Sequence, residues 1–378
     1  MRILLVGNYQ PDLQQSMQRY AAWLAHALSK RGYQVSLAVP QPFFSRLTRH
    51  HGLKKYLGYI DKFLLFPPRL RRLAKSFDLV HVLDHSNSMY LRTVRKTPSL
   101  ITCHDVLAIR AARGEFPVSP VGRTGKLLQR WILSGLRSSH HVLCVSAKTA
   151  SDLKTLTGET GTQVRVIYSP LNWSYQPSTV LPDDLVGRLG LQSGQPFLLH
   201  VGGNQWYKNR MGVLRIYARL VAQKSFSTYR LVMAGKPWTA AMRKLVRDEQ
   251  LGDRVIESVG CSNEELQALY SHAQALLFPS LEEGFGWPLL EAQACGCPVI
   301  TTGRPPMTEV AGQAAIYIDP DNPEAAANLI ADGLQHREQL RAAGFHNLER
   351  FAEDVVIAQY SAFYAEILKN EHLATSRR

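Results

Sequence analysis

The feature that most constrains this chain is a rhythm that runs twice. Short apolar runs at residues 3–6, 33–39, 79–83, 100–103, 142–145 and 164–168 are separated by loops and amphipathic helices. In the first helix Tyr20, Trp23, Leu24, Ala27 and Leu28 recur at helical spacing, and Gly32 ends it. Strands that alternate with helices in this way build a parallel, doubly wound sheet. The rhythm breaks over 169–196, where Ser169-Pro170, Pro177, Pro182 and Pro196 cluster among few apolar residues. It then resumes at 197–201, 229–234, 255–259, 275–278, 298–301 and 315–318, with helices between, for example from Glu264 to Ala273. A chain of 378 residues exceeds one ordinary core. The reading is an α/β protein with an N-terminal domain over 1–172, a linker over 173–196 and a second domain over 197–354. An amphipathic helix from Val355 to Leu368 and a disordered tail from Glu371 complete residues 355–378.

Ligands of open α/β sheets bind beyond the carboxyl ends of the strands, and the chemistry-bearing motifs lie there. The richest is Glu282-Glu-Gly-Phe-Gly-Trp-Pro-Leu-Leu-Glu291, which follows the run 275–278. Gly284 and Gly286, flanking Phe285, let backbone approach a ligand without a Cβ in the way. Pro288, between Trp287 and Leu289, suits the first position of a helix because its φ is preset and it has no N–H to leave unpaired. The open N–H groups of that helix start form an anion site fit for a diphosphate. Glu291, expected in the first turn of that helix, is placed to accept from a ribose diol, and Glu283, before the turn, from sugar hydroxyls. Ordinary capping acids at a helix start are the plainer alternative. The motif His200-Val-Gly-Gly-Asn-Gln-Trp-Tyr-Lys-Asn-Arg210 adds Lys208 on a glycine-opened loop, where an ammonium can meet a phosphate. Gly203 and Asn204 lie on the same loop. The third motif, Thr102-Cys-His-Asp105, puts His104 at a strand end, with Asp105 placed to orient it or to cap the next segment. His81 and His85 also lie at a strand end, and either line an acceptor site or pack.

Charge separates the halves. Residues 1–178 hold 25 Lys and Arg against 8 Asp and Glu, and residues 179–378 hold 19 against 22. A basic half beside a near-neutral one implies that one domain meets an anionic partner. The stretch Phe43 to Phe77 mixes Phe, Leu and Tyr with bases that include Arg69, Arg71 and Arg72. That composition fits an interfacial segment on an anionic membrane surface, and it fits equally an amphipathic helix packed on its own sheet. No nucleic-acid-binding module is present, so nucleic acid is not expected. No apolar run reaches the roughly 18 residues of a membrane span. Five scattered cysteines suit a reducing cytosol, and Cys295-Gly-Cys297 lacks the second pair that a zinc knuckle needs.

Taken with these motifs, the run Glu283-Gly-Phe-Gly-Trp-Pro-Leu-Leu-Glu-Ala-Gln-Ala-Cys-Gly-Cys-Pro-Val-Ile300 resembles the signature of retaining GT-B glycosyltransferases of family 4, and the resemblance covers nearly the whole chain. It implies two Rossmann-like domains facing a central cleft, with the final helix crossing back to the first domain. It implies a nucleoside diphosphate sugar as donor and a glycan or lipid-linked acceptor, with no essential metal. It also implies ribose contact by Glu291, donor-sugar contact by Glu283, leaving-diphosphate contact by Lys208 and an active-site His at His104. Two departures stand out. The arginine usual just after the first glycine is Gly203 here, which leaves Arg210 as a candidate substitute. The glycine pair usual before the first helix is Gln15-Ser16. Base selectivity is expected near Gly235 to Trp238 and Val259 to Ser262. The expected activity is retaining hexosyl transfer in polysaccharide or glycolipid synthesis, in the cytoplasm and peripheral to the inner membrane face. The rival readings are a sugar-nucleotide epimerase and a non-catalytic nucleotide-sugar binder or membrane adaptor.

Overall fold

The computed structural model describes residues 1–48, 50–158, 161–192 and 194–376. The chain forms two compact units, Met1–Asn172 with Glu353–Arg378, and Trp173–Ala352. In the first, β1 (Arg2–Val6), β2 (Gln34–Ala38), β3 (Leu79–Val82), β4 (Ser99–Cys103), β5 (His141–Cys144) and β6 (Gln163–Val166) make a parallel sheet of order β2-β1-β3-β4-β5-β6. In the second, β7 (Phe197–Gly202), β8 (Arg230–Gly235), β9 (Val255–Val259), β10 (Ala275–Phe278), β11 (Val299–Thr302) and β12 (Ala315–Ile318) order as β12-β11-β10-β7-β8-β9. Each strand falls where the apolar rhythm places one, with ends shifted by a residue or two.

Period-two alternation explains why the sheets are covered on both faces. Along β1, Leu4 and Val6 join one core with Phe66, Leu70 and Leu136. Ile3 and Leu5 point the other way, into a core with Tyr20, Leu24 and the last helix. That helix, Glu353–Ser376, packs on the first unit through Val356, Ile357, Tyr360, Phe363, Tyr364 and Ile367, each at most 2% exposed. Trp23 Nε1 donates to Glu353 Oε2 at 2.8 Å and ties the helix start to the helix Gln15–Lys30.

Two stretches depart from the sequence reading. The helix continues through Ser376, so the tail expected to be disordered from Glu371 is helical over its described part; residues 377–378 lie outside it. The reason is visible in the chain: no Gly or Pro interrupts it after Glu353. Residues 173–196, expected as a linker, fall within the second unit. The helix Asp183–Leu189 there buries Leu185 and Leu189, and Tyr175 sits edge-on to Tyr270 at 5.9 Å. Flanking prolines mask this short apolar stripe in the sequence.

Candidate functional site

Strand order fixes where ligands can enter. In the second sheet the chain's direction of winding reverses between β7 and β10, which opens a crevice beyond their carboxyl ends. The loop after β7 turns through a short helical segment, Trp206–Lys208, and the chain then passes Asn209 in the left-handed conformation at φ 50°. Asn209 accepts from Gly212 N–H at 3.1 Å, capping the helix Arg210–Val221, and donates to the Pro279 carbonyl beyond β10 at 3.1 Å. Leu281 N–H donates to the Tyr207 carbonyl at 2.7 Å. These bonds lock the two loops together and set the Lys208 ammonium 2.7 Å from Glu283 Oε1. Lys208 and Glu283 are 17% and 8% exposed. The ammonium also lies over the rings of Phe278 and Tyr207, 5.1 and 5.7 Å from their centroids.

Gly284, Phe285 and Gly286 carry the chain from Glu283 into the helix Trp287–Ala294. Gly286 has φ 105°, a value that favours glycine, and it brings no side chain to cap the helix. The helix starts one residue earlier than expected, at Trp287, so Pro288 takes the second helical position rather than the first. Phe285 is buried and meets Trp287 with centroids 5.9 Å apart, while Leu289 is fully buried. Glu291 follows the first turn rather than lying in it, because the helix starts at Trp287; it is 6% exposed and accepts from the buried Tyr270 hydroxyl at 3.0 Å, which fixes one carboxylate oxygen. Burial next to that carboxylate pushes the Tyr270 hydroxyl well above its usual pKa, so it stays a donor.

Arg210 is 4% exposed rather than reaching out from its loop. Its Nη1 donates to Asn204 Oδ1 and to the Lys236 carbonyl at 2.8 Å, so it braces the loops after β7 and β8. Nε and Nη2 have no protein partner among the described residues. Gly203 has room for a side chain only if the Gln205 amide moves, since a Cβ would come 2.4 Å from its Oε1.

In the first unit the winding reverses between β1 and β3. Asn8, just past β1, donates to Asp84 Oδ2 at 2.6 Å, and Asn87 donates to Asn8 Oδ1 at 3.0 Å. Asp84 also accepts from Ser86 N–H at 2.7 Å. Burial works against its charge, but His85, His104 and these donors bring its pKa below the usual carboxylate range. His104 is buried at the end of β4, with Nε2 2.8 Å from the Leu83 carbonyl and Tyr20 edge-on at 4.9 Å. That bond assigns the proton to Nε2 and makes Nδ1 the acceptor. Burial lowers the His104 pKa, so the ring is neutral at pH 7. Asp105 caps the next helix by accepting from Leu107 N–H at 3.0 Å.

His85 Nδ1 stands 3.4 Å from Asp84 Oδ1 beside this cluster. His81 does not line it: fully buried, it bridges the Tyr364 hydroxyl and Thr102 Oγ1, each at 2.7 Å, and belongs to the packing. The basic, aromatic stretch divides between its two readings. Phe66, Leu70 and Ala74 pack into the core, while Leu64, Leu65, Arg69, Arg71 and Arg72 are exposed. Sequence reasoning passed over Asp84, Asn8 and Tyr270. The signal for Asp84 was its place in Val80-His-Val-Leu-Asp84 at a strand end; nothing local marked Tyr270. Among the described residues no cluster of His, Cys, Asp or Glu could hold a metal ion, and no helix is long and apolar enough to cross a membrane.

Known proteins share both halves. "Glycosyl transferases group 1" matches residues 183–345, and "Glycosyltransferase Family 4" matches residues 17–173. The O-antigen chain mannosyltransferase B of Escherichia coli is 30% identical over 82% of this chain and 81% of its own length. The serotype-specific mannosyltransferase WbdA of Escherichia coli is 28% identical over 62% of this chain, and the match spans only 30% of that longer protein. Among solved structures, sucrose-phosphate synthase from Thermosynechococcus elongatus superposes with a TM-score of 0.75 over 98% of this chain and all of its own, at 19% identity, a likeness of fold.

Proposed function

Because the chain belongs to the group 1, family 4 glycosyltransferases, we propose that it transfers a hexose from a nucleoside diphosphate sugar to a hydroxyl of a glycan or lipid-linked acceptor, with retention at the anomeric carbon. The names of its relatives make mannose the first sugar to test. The observation that carries the reading is the Lys208–Glu283 pair at the β7/β10 switch point, beside the start of the helix that holds Glu291.

Breaking the bond between the anomeric carbon and the diphosphate builds positive charge on the sugar and negative charge on the phosphate. A fixed cation aimed at the departing oxygens is the electrostatic contribution usually largest in such sites. Lys208 fills that role, with the start of the Trp287–Ala294 helix beside it. The buried guanidinium of Arg210, whose Nε and Nη2 have no protein partner among the described residues, supplies a further positive group where Gly203 supplies none. Glu283 orients the sugar, and Glu291, held by Tyr270, takes the ribose diol. His104, neutral and held through Nε2 at the end of β4, is placed to contact the donor sugar. No carboxylate is assigned a nucleophile's part, because Glu283 is committed to Lys208. The exposed Arg69, Arg71 and Arg72 beside exposed leucines suit an anionic membrane surface, which vesicle binding that weakens with salt would report.

The test is turnover of a panel of nucleoside diphosphate mannoses and glucoses, with the freed nucleotide and the product's anomeric configuration read together. The reading expects acceptor-dependent release with retention. Inversion would overturn the mechanism, and indifference to every diphosphate sugar would overturn the activity.

A further inference from the structure

The first unit contains two cavities that share a wall and differ in chemistry. One, of about 800 Å³, lies at the β1/β3 switch point and is lined by the buried amides of Asn8 and Asn87 at its floor and by Gln14, Lys54, Lys55 and Tyr59 further out. The second, of about 710 Å³, runs between the helices His51–Ile60 and Arg123–Arg137. Lys55, Tyr59, Phe63 and Leu128 belong to both. Both volumes are those of small-molecule sites, and docking on a flat bilayer requires neither.

Their linings change in order. The floor is a set of amides held against the buried Asp84, suited to sugar hydroxyls. The middle is cationic. Asp12 is the acid lining this cavity, and Lys62 neutralises it at 2.9 Å. Lys54 and Lys55 are exposed, with no ion-pair partner among the described residues. The far end is an aromatic run: Tyr56 meets Tyr59 at 6.3 Å, Tyr59 stacks on Phe63 at 5.6 Å, and Phe63 meets Trp131 at 4.9 Å. Leu127 stands there 68% exposed, and the charged residues lining this groove, Lys55 and Arg130, are both basic.

We propose that these linked cavities form one site for an amphiphilic anion: a sugar at the Asn8 floor, a phosphate or diphosphate on Lys54 and Lys55, and a single lipid chain along Tyr59, Phe63 and Trp131. A glycan without phosphate or lipid would leave the lysines and the aromatic run unused. An apolar peptide helix would leave the lysines without a counter-charge. That the sugar portion is the acceptor rests on the glycosyltransferase reading; binding of the amphiphile does not.

The experiment titrates the full chain calorimetrically with farnesyl diphosphate, farnesol and inorganic diphosphate, each below its aggregation limit. Farnesyl diphosphate is expected to bind at least tenfold more tightly than either fragment. The double change Lys54→Glu, Lys55→Glu is expected to weaken it at least tenfold and to flatten its salt dependence. Leu127→Asp is expected to weaken farnesyl diphosphate and leave inorganic diphosphate unaltered. All three positions are exposed, so the variants should melt with the parent. Equal binding of farnesol and farnesyl diphosphate, or no binding, overturns the proposal. So does binding only to phosphatidylglycerol vesicles that Leu127→Asp leaves intact, which would make the surface a general membrane dock. Stabilisation by nucleotide sugars is measured separately: its presence without amphiphile binding sinks this inference alone, and the reverse sinks the transferase reading alone.

Discussion

The Lys208–Glu283 pair allows a test that separates a strut from a working part. Lys208→Met leaves a carboxylate 8% exposed and without its cation. Removing one partner of a fully buried pair costs about 3–5 kcal/mol, and the 17% exposure of Lys208 puts this one nearer 2–3 kcal/mol. Glu283→Gln should cost less, about 1–2 kcal/mol. The ammonium keeps the rings of Phe278 and Tyr207, and the amide oxygen can still accept. Replacing both together removes the orphaned charge, and stability should return to within about 1 kcal/mol of the parent. Turnover should not return. Lys208→Met removes a group aimed at charge that develops in the transition state, worth a factor of about 100–1,000, and Glu283→Gln removes the carboxylate that orients the sugar, so the double variant should be no faster than the slower single one. The assay is release of nucleoside diphosphate beside urea unfolding, compared through the midpoint of one transition because a two-unit chain has no single unfolding free energy. If the double variant recovered turnover to within about tenfold along with its stability, the pair would be a strut, and the role given to Lys208 would be refuted.

Two further predictions concern the frame around the site. Gly235 ends β8 at φ 146°, and a Cβ there would lie 2.0 Å from the Gly202 carbonyl oxygen. Gly235→Ala should cost at least about 3 kcal/mol, against about 0.5 kcal/mol or less for Gly303→Ala, whose Cβ meets nothing within 4 Å; melting temperatures check both. His81 in the first unit and His200 in the second are fully buried, and burial lowers each pKa to about 3. The unfolded chain titrates near 6.5, so between these values it binds the extra proton, and stability falls as pH drops from about 6.5 toward 3. The slope is about 1.4 kcal/mol per pH unit for each histidine, or roughly 2 kcal/mol each at pH 5 relative to pH 7. Calorimetry should show both transitions falling with acid, and a melting profile indifferent to pH would contradict the burial argument.

Much of this was written locally. Each strand is a short apolar run, and Gly32, Gly286 and Pro288 punctuate the helices beside them, so the alternation alone implied two doubly wound sheets. The glycines and the proline around Glu283 and Glu291 marked a loop built for close approach. Long-range geometry was not legible. Nothing near Lys208 announces that Glu283, 75 positions on, will meet it, because that contact depends on Asn209 binding the Pro279 carbonyl across the switch point. The same holds for Asp61, a buried acid inside the basic stretch, which accepts from the Tyr9 hydroxyl at 2.7 Å and from Phe44 N–H at 2.9 Å. Composition alone leaves that stretch equally open to a membrane surface and to packing, and the fold divides it, with Phe66 and Leu70 on the sheet. Its sequence position makes Arg210 a candidate for the missing arginine but does not show that the fold draws it inward, where Asn204 and the Lys236 carbonyl converge on it.

The central claim is that the second unit cradles a nucleoside diphosphate sugar between Lys208 and Glu291. Thermal unfolding with GDP-, UDP- and ADP-mannose tests it most directly, since a ligand at 100 times its Kd stabilises by about 2.7 kcal/mol. The account predicts that one of these donors raises the melting temperature, and that Glu291→Ala removes most of the shift while the protein without ligand stays folded. No shift with any donor, or a full shift in Glu291→Ala, would contradict it.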